Sequence, residues 1–282
     1  MKKLCLIIGA LVLILIAISL TLTLFQKNIT LKSKVALVRI EGPILDSKNA
    51  VEEIKEFGKD SSIKAIILRI DSPGGAVAPS QEIYSEVKKA AAKKAVVVSM
   101  GSIAASGGYY IACPATRIIA NPGTLTGSIG VIMEIPNIEG LLTKIGVKTE
   151  VIKAGKNKDI GSAFREMKPE ERELLQGVMD NVHEQFIKAV AEGRKLKIED
   201  VRAFADGRIF TGEQAVEKGL VNELGTLEDA TKIAAKLGGI KEEPEVVIKK
   251  DKVSFFELLR NNFPKEILDV FPSAKIKYLY SP

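Results

Sequence analysis

The sequence predicts an α/β fold in which a parallel sheet is layered with helices. Short apolar runs typical of buried strands alternate with segments of helical periodicity. This alternation is typical of layered α/β architecture. Glycine-containing turns follow two of the apolar runs. With 282 residues, 46% of them hydrophobic, the chain can build one large domain or two small ones.

The predicted strands and helices begin at residue 35. Apolar runs predict strands at 35–40, 63–70, 95–100, 117–120 and 128–132, and another strand is predicted at 148–153. Helical spacing predicts helices at 51–57, at 81–92, at both ends of 105–146 and within 168–188. Ligands of such sheets bind at the carboxyl edge of the strands. The segments that follow two strand ends, 71–75 and 101–112, are therefore expected to share one crevice.

Residues 101–112, with the sequence GSIAASGGYYIA, carry a candidate nucleophile. Ser106 stands at the predicted strand-to-helix turn, which should expose its hydroxyl near a helix N-terminus, where free N–H groups favour developing negative charge. The glycines after it let a substrate backbone approach closely. A nucleophilic serine needs this setting. A tightly packed turn of small residues is the alternative interpretation.

The chain has one histidine, His183, which limits the bases that could activate a serine. His183 falls among charged neighbours beside the apolar stripe of the helix predicted within 168–188. This position favours a solvated or half-buried helix residue. The activating base is therefore expected to be a lysine, because neutral lysine is a strong base.

The N-terminal region predicts attachment to a membrane. Residues 4–25 contain no charged side chain, and about 20 apolar residues suffice to cross a bilayer. We therefore predict a tail at 1–3, a single transmembrane anchor at 4–25 and a linker at 26–34. A cleaved signal peptide is the alternative. Lysines flank both ends of the anchor, so charge does not decide its orientation; a domain on the extracytoplasmic side of the cell membrane is the expectation.

Composition argues against several classes of site. Cys5 and Cys113 lie far apart, which predicts no internal disulfide, no metal-ligand cluster and a buried Cys113. The net charge is +6, but basic residues are scattered among acidic ones without aromatic interleaving. That pattern predicts a solvated surface and no nucleic-acid partner. We expect no cofactor and no metal.

Five segments with motif character follow one another in the chain: 71–75 (DSPGG), 106–109 (SGGY), 126–131 (TGSIGV), 155–160 (GKNKDI) and 207–212 (GRIFTG). Together they resemble the signal peptide peptidase A family in its short, single-repeat form. These are membrane-anchored Ser/Lys peptidases of the Clp-protease/crotonase-like superfamily. The resemblance covers about residues 35–240 and implies a layered fold of repeated strand-strand-helix units. It leaves 241–282 as a C-terminal extension.

The resemblance implies a role for each matched residue. Ser106 corresponds to the nucleophile and Lys158 to the general base. Ser128 corresponds to the serine that hydrogen-bonds and orients the lysine. The backbone N–H groups of Gly75 and Gly107 correspond to the oxyanion hole.

Only the resemblance selects Lys158, because Lys144, Lys153 and Lys156 lie nearby in sequence. A free lysine has a pKa of about 10.4, and a base working near neutrality needs a pKa roughly 3 units lower. The polar loop around Lys158 would not bury it, so substrate or a neighbouring protomer must. The family forms rings whose active sites are completed across subunits, which implies a homo-oligomeric ring here.

The expected function is a membrane-anchored serine endopeptidase that degrades apolar peptides such as cleaved signal peptides. The related stomatin-associated Ser/Lys protease is one alternative. A crotonase-type acyl-CoA enzyme and a non-catalytic membrane adaptor are the others. Six aromatic residues between 253 and 280 predict that the extension docks on a partner protomer, on the membrane or in the domain's own groove. A helix that completes the core is the alternative.

Overall fold

The computed structural model describes residues 12, 14–19, 33–249 and 277–279. The chain divides into two units, Met1–Ser33 and Lys34–Pro282. Residues 14–19 of the first unit are helical and exposed. Four predicted segments lie wholly or mostly outside the described residues: the tail at 1–3, the rest of the anchor at 4–25 with Cys5, the linker and the C-terminal extension. Among the residues described, no helix is both long and apolar enough to cross a bilayer.

The second unit is built on an eight-stranded sheet, counted over the described residues. A separate two-stranded sheet pairs residues 74–76 with residues 277–279. The strands are β1 (Lys34–Glu41), β2 (Ile63–Ser72), β3 (Gly74–Ala76), β4 (Ala95–Ala105), β5 (Arg117–Ala120), β6 (Leu125–Gly127), β7 (Ile209–Thr211), β8 (Glu223–Leu224), β9 (Glu245–Val247) and β10 (Lys277–Leu279).

Helices cover both faces of the large sheet. They are α1 (Lys48–Lys59), α2 (Val77–Ala91), α3 (Gly107–Ala112), α4 (Glu139–Lys144), α5 (Pro169–Arg194), α6 (Ile198–Arg202), α7 (Gly212–Glu217) and α8 (Leu227–Leu237). Alternate residues of a strand face opposite sides of a sheet. Accordingly Ile66 and Leu68 pack in the cluster that includes α1 and α2, whereas Ile67 packs in the cluster with α8. Burial of both faces explains the continuous apolar run at 65–68 in the middle of β2.

The central strand β4 changes partners along its length and thereby places the next residue, Ser106. Its first half pairs in parallel with β2 and β5. Its last residues pair in parallel with β6, with Ala105 opposite Gly127. Strand β6 then pairs antiparallel with β7. The end of β4 therefore lies beside the end of β6, at the carboxyl edge of the sheet.

Most of the predicted elements are confirmed. The strands predicted at 35–40, 63–70, 95–100 and 117–120 lie within observed strands, and the long helix and the buried Cys113 are found. The strand predicted at 128–132 is wrong, because β6 ends at Gly127 and both Gly127 and Ser128 take positive φ values. The strand predicted at 148–153 is also wrong. Its Ile152 is fully exposed, so no sheet neighbour of this chain covers that run.

Candidate active site

Ser106 occupies a sharp turn between β4 and α3. Its φ of 51° and ψ of −117° lie outside the helical and extended regions. Such a conformation costs a non-glycine residue on the order of 1–3 kcal/mol and persists only where the surroundings impose it. Here the Ser106 N–H donates to the carbonyl of Gly127 at 2.8 Å, and its carbonyl accepts the Tyr110 N–H at 2.8 Å. The turn is therefore held from two sides.

The Ser106 hydroxyl is buried and unpartnered. The residue is 1% exposed, and its Oγ has no hydrogen-bond partner within the described part of the chain. Leaving a buried polar group unsatisfied costs about 1–3 kcal/mol, and native proteins seldom do so without a functional reason. The sequence predicted an exposed hydroxyl at this turn, and the structure buries it. A group from outside the described residues, or a substrate, is needed to form a hydrogen bond with this oxygen.

Gly75 and Gly107 come together beside Ser106, although they are far apart in the sequence. A Cβ built on Gly107 would lie 3.1 Å from the Gly75 nitrogen and 2.7 Å from Ser80 Oγ. A Cβ on Gly75 would overlap the carbonyl of Ile44. Neither position has room for a side chain, so the two backbones can approach closely only as glycine. The structure thus brings together the two residues matched to the oxyanion hole.

The strand β3, which carries Gly75, is hydrogen-bonded to the Ile44 backbone along one edge and pairs with β10 along the other. On the first edge, the Ile44 N–H donates to the Gly74 carbonyl at 2.9 Å and the Ala76 N–H donates to the Ile44 carbonyl at 2.8 Å. On the second edge, β10 runs antiparallel with Tyr278 opposite Gly75. Of the placements expected for the C-terminal extension, these three residues take the domain's own groove. The second edge of β3 therefore accepts an extended segment next to Gly75.

Ser128 lies one residue beyond β6, just as Ser106 lies one residue beyond β4. It is 7% exposed, has a φ of 50°, and donates its N–H to the Arg208 carbonyl at 2.8 Å. Because Ala105 and Gly127 are register partners, the two serines leave neighbouring strand ends. The structure thus places Ser128 beside the candidate nucleophile.

Lys158 makes no hydrogen bond to Ser106 within one chain. It lies exposed in a loop, where its N–H donates to the Gly155 carbonyl at 3.2 Å. The unpartnered state of Ser106 Oγ shows that the two side chains are not hydrogen-bonded. The structure therefore places four of the five predicted site residues at one edge of the sheet, and the predicted base is exposed without a hydrogen bond to Ser106.

The segment around Lys158 exposes much of its apolar surface. Large apolar side chains between 132 and 178 that are at least 38% exposed are Ile132, Leu141, Ile145, Val147, Val151, Ile152, Phe164, Leu174 and Val178. The apolar stripe predicted for α5 therefore reaches the core only in its second half, where Phe186 is fully buried. Extended exposed apolar surface marks an interaction site in a soluble domain.

The histidine lies half-buried on α5, as predicted, and it lines a cavity that the sequence did not reveal. The cavity measures about 440 Å³ and is bounded by Ser128, Asp180, His183 and Asp206, among others. The Nε2 atom of His183 is buried without a partner in the described residues. His183 makes no hydrogen bond to Ser106, so the chain does not contain a preformed Ser–His pair. No local sequence signal could have placed this histidine beside Ser128.

Comparisons with known proteins relate the chain to proteases. The family model described as Peptidase family S49 matches residues 88–241, and the one described as Clp protease matches residues 33–124. The chain is similar to a protein of Synechocystis sp. named as a protease, with 49% identity over 210 residues, which are 74% of this chain and 76% of that protein.

Two further relatives are longer than the part that matches. Protease 4 of Salmonella typhi is 38% identical over 218 residues, covering 74% of this chain and 35% of that protein. An Enterococcus faecium protein named signal peptide peptidase SppA is 36% identical over 211 residues, covering 74% of this chain and 61% of that protein. The chain thus spans less than two thirds of the length of both.

We predict that Gly107→Ala lowers kcat for peptide cleavage on the order of 10²–10³-fold while the protein stays folded. The added Cβ would press on the Gly75 nitrogen and displace an N–H group needed to stabilise an oxyanion. Steady-state kinetics together with thermal unfolding measure both quantities. The matched control is Gly58→Ala, at a helix position where a Cβ meets nothing within 4 Å. Equal kinetics for the two variants would contradict an oxyanion role for Gly107.

Proposed function

Because the chain belongs to Peptidase family S49, the signal peptide peptidase A family, and is a serine protease, we propose that it is a membrane-anchored endopeptidase with a Ser/Lys dyad. Its substrates are apolar peptides such as cleaved signal peptides. The observation that carries the proposal is the buried, unpartnered Ser106 hydroxyl in a strained turn beside the contact of Gly75 with Gly107. Family membership decides against the acyl-CoA enzyme and the non-catalytic adaptor.

The proposed reaction is acyl transfer through Ser106. Lys158 in its neutral form takes the hydroxyl proton while Oγ attacks the scissile carbonyl. The N–H groups of Gly75 and Gly107 stabilise the oxyanion that forms. The protonated lysine then returns its proton to the leaving amine. Water, activated by the same lysine, hydrolyses the acyl-enzyme and restores Ser106.

A second copy of this chain is the proposed source of the lysine. Lys158 is exposed in its own chain, and Ser106 Oγ is unpartnered. Apolar residues flank the Lys158 loop on the surface, and the cavity beside Ser128 has room for a lysine side chain. A protomer that packs its apolar segment on a neighbour would bring Lys158 to Ser106 and remove it from water. Such head-to-tail contacts generate a ring when the rotation closes.

The second edge of β3 is the proposed binding site for the substrate backbone. Strand β10 already pairs there as an antiparallel strand with Tyr278 opposite Gly75. Recognition by strand addition relies on main-chain hydrogen bonds and therefore suits peptides of many sequences. The name of the Enterococcus faecium relative points to signal peptides, and the apolar run at 4–25 would hold the enzyme at the membrane where these are released.

We predict that Ser106→Ala and Lys158→Ala each abolish cleavage of a synthetic signal peptide while the fold is retained. Each variant removes one half of the dyad, so the cleavage rate should fall toward that of the uncatalysed reaction. Cleavage by the full-length protein in detergent measures it, and a serine-directed fluorophosphonate should label wild type at Ser106. The control is His183→Ala, which should stay active. An inactive His183→Ala beside an active Lys158→Ala would overturn the dyad.

We predict that the two inactive variants complement each other when they are dissociated, mixed and reassembled. In an equal mixture about a quarter of subunit boundaries pair an intact Ser106 with an intact Lys158, if each site takes one residue from each neighbour. Cleavage near a quarter of the wild-type rate is therefore expected. Each variant reassembled alone serves as the control. Mixed oligomers that form but stay inactive would place both residues of the dyad in one chain.

We predict that deleting residues 277–282 lowers KM for added peptide several-fold and leaves kcat nearly unchanged. Strand β10 occupies the edge of β3 proposed for the substrate, and a tethered competitor acts at an effective concentration in the millimolar range. Steady-state kinetics of wild type and the truncation measure the change. Deleting only residues 281–282, which leaves β10 in place, is the control. Unchanged KM in the longer truncation would move the substrate away from this edge.

A further inference from the structure

Asp159, the residue after Lys158, is turned into the protein. Its side chain is 12% exposed, whereas Lys158 is exposed to solvent. Its Oδ2 accepts a hydrogen bond from Arg165 Nε at 2.9 Å, and its Oδ1 accepts one from Lys153 Nζ. The Asp159 carbonyl also accepts from Arg165 Nη2 at 3.2 Å. Neighbouring residues of the loop thus face in opposite directions, the carboxylate inward and the lysine outward.

Arg165 ties this loop to the start of α5. Its Nη1 and Nη2 donate to Glu171 Oε2 and Oε1 at 2.8 and 2.6 Å, which is a bidentate pair. Glu171 is 5% exposed, and its Oε2 also accepts the Lys168 N–H at 3.0 Å. Arg165 Nη1 donates in addition to the Glu166 carbonyl at 2.9 Å. The guanidinium therefore joins two carboxylates that belong to different elements.

The four side chains form a cluster without net charge: Lys153, Asp159, Arg165 and Glu171. Hydrogen bonds from Arg165 and then from Lys153 hold the pKa of Asp159 well below its usual range. Hydrogen bonds from Arg165 and from the Lys168 backbone lower the pKa of Glu171 to about 2. Both carboxylates therefore stay ionised at every pH at which a lysine base could work. Each negative charge is met by a cation inside the cluster.

An adjacent carboxylate matters to a lysine that must lose its proton. A negative charge within about 4–6 Å stabilises the ammonium form and raises the pKa of the lysine. Asp159 follows Lys158 directly and would be such a charge if it were free to turn outward. Arg165 and Lys153 occupy both of its oxygens instead. The cavity proposed to receive the lysine is itself bordered by His183, by Asp206, which is paired with Arg208, and by Asp180, which accepts from Gln176. These groups are fixed features of the receiving site, whereas Asp159 follows Lys158 directly in the chain and would accompany the lysine into any site.

We propose that Arg165 is a positioning residue for the catalytic lysine. By holding Asp159 inward and neutralised, it presents Lys158 outward and lets it act as a neutral base. The inference rests on the proposed function, in which Lys158 is the base of the dyad. Glu171 contributes to the same positioning, because this buried carboxylate accepts two hydrogen bonds from the guanidinium on the side away from Asp159.

The test is the pH dependence of kcat/KM for peptide cleavage by Arg165→Gln and Arg165→Lys in the full-length oligomer. The acid limb of the profile reports the pKa of the base in the free enzyme. Arg165→Gln leaves Asp159 under-neutralised, so the limb should move to higher pH by roughly 0.5–1 unit. Below the limb, this is a loss of about 3–10-fold in kcat/KM. Arg165→Lys keeps the positive charge but loses the planar guanidinium that binds both carboxylates. The value of kcat should therefore fall, while the acid limb of the pH profile stays at the same pH.

Two more variants separate charge from structure. The double variant Asp159→Asn with Arg165→Gln removes the carboxylate that would raise the pKa of Lys158. The acid limb should then return toward its wild-type position even if kcat stays low. Lys153→Met removes the second cation on Asp159, so it should shift the limb in the same direction as Arg165→Gln and serves if that variant does not fold. The control is Arg202→Gln, which breaks the Arg202–Glu184 pair elsewhere on the surface and should leave the limb unmoved.

The outcomes are separable from those of the proposed function. If Arg165→Gln and Lys153→Met reduce kcat/KM equally at all pH values, the cluster only supports the fold and the inference is overturned. A double variant whose limb stays shifted would overturn it as well. Full activity of Lys158→Ala would instead refute the dyad, whatever the Arg165 variants do.

Discussion

The site depends on one close approach of backbones at the end of β4. Ser106 can hold a φ of 51° because its N–H is bound by the Gly127 carbonyl and because every residue of the following helix α3 is buried. Packing of that helix offsets the cost of the turn, which is on the order of 1–3 kcal/mol. Gly107 then touches the backbone of Gly75 with no space for a side chain. The nucleophile and both candidate oxyanion donors follow from this single contact.

The fold leaves polar groups at this site unmet, which is unusual for a protein interior. Ser106 Oγ and His183 Nε2 are buried without partners in the part of the chain that the structure describes. Buried polar atoms are otherwise paired in the great majority of cases. Ser106 follows β4, whose end pairs with the residue before Ser128. His183 and Ser128 line the same cavity. The strained turn at Ser106 and the cavity beside Ser128 leave space for a group from elsewhere, and the lysine that we propose comes from a second copy would fill it.

Delivery of a lysine also has an electrostatic requirement. Lowering a lysine pKa by roughly 3 units costs about 4 kcal/mol, which burial at a subunit contact can impose. A free carboxylate beside the lysine would oppose that shift. The cluster around Arg165 differs from exposed ion pairs such as Lys232–Glu228, which contribute little to stability and are screened by salt. Its buried Glu171 and bidentate geometry instead hold the loop and its charge in one arrangement.

Local sequence determined the strands whose two faces are buried, such as 63–70, and the serine at a glycine-rich strand end, because each is written in consecutive residues. It could not distinguish 148–153 from such a strand, since the adjacent apolar residues Val151 and Ile152 are compatible both with a buried strand and with the exposed segment that the structure shows. The sequence predicted that 71–75 and 101–112 share one crevice, but only tertiary structure decided that Gly75 and Gly107 meet without room for a side chain. Tertiary structure alone decided that His183 borders Ser128 and that Arg165 joins Asp159 to Glu171. These contacts depend on how β4 changes partners and where α5 begins, and neither is encoded within a few neighbouring residues.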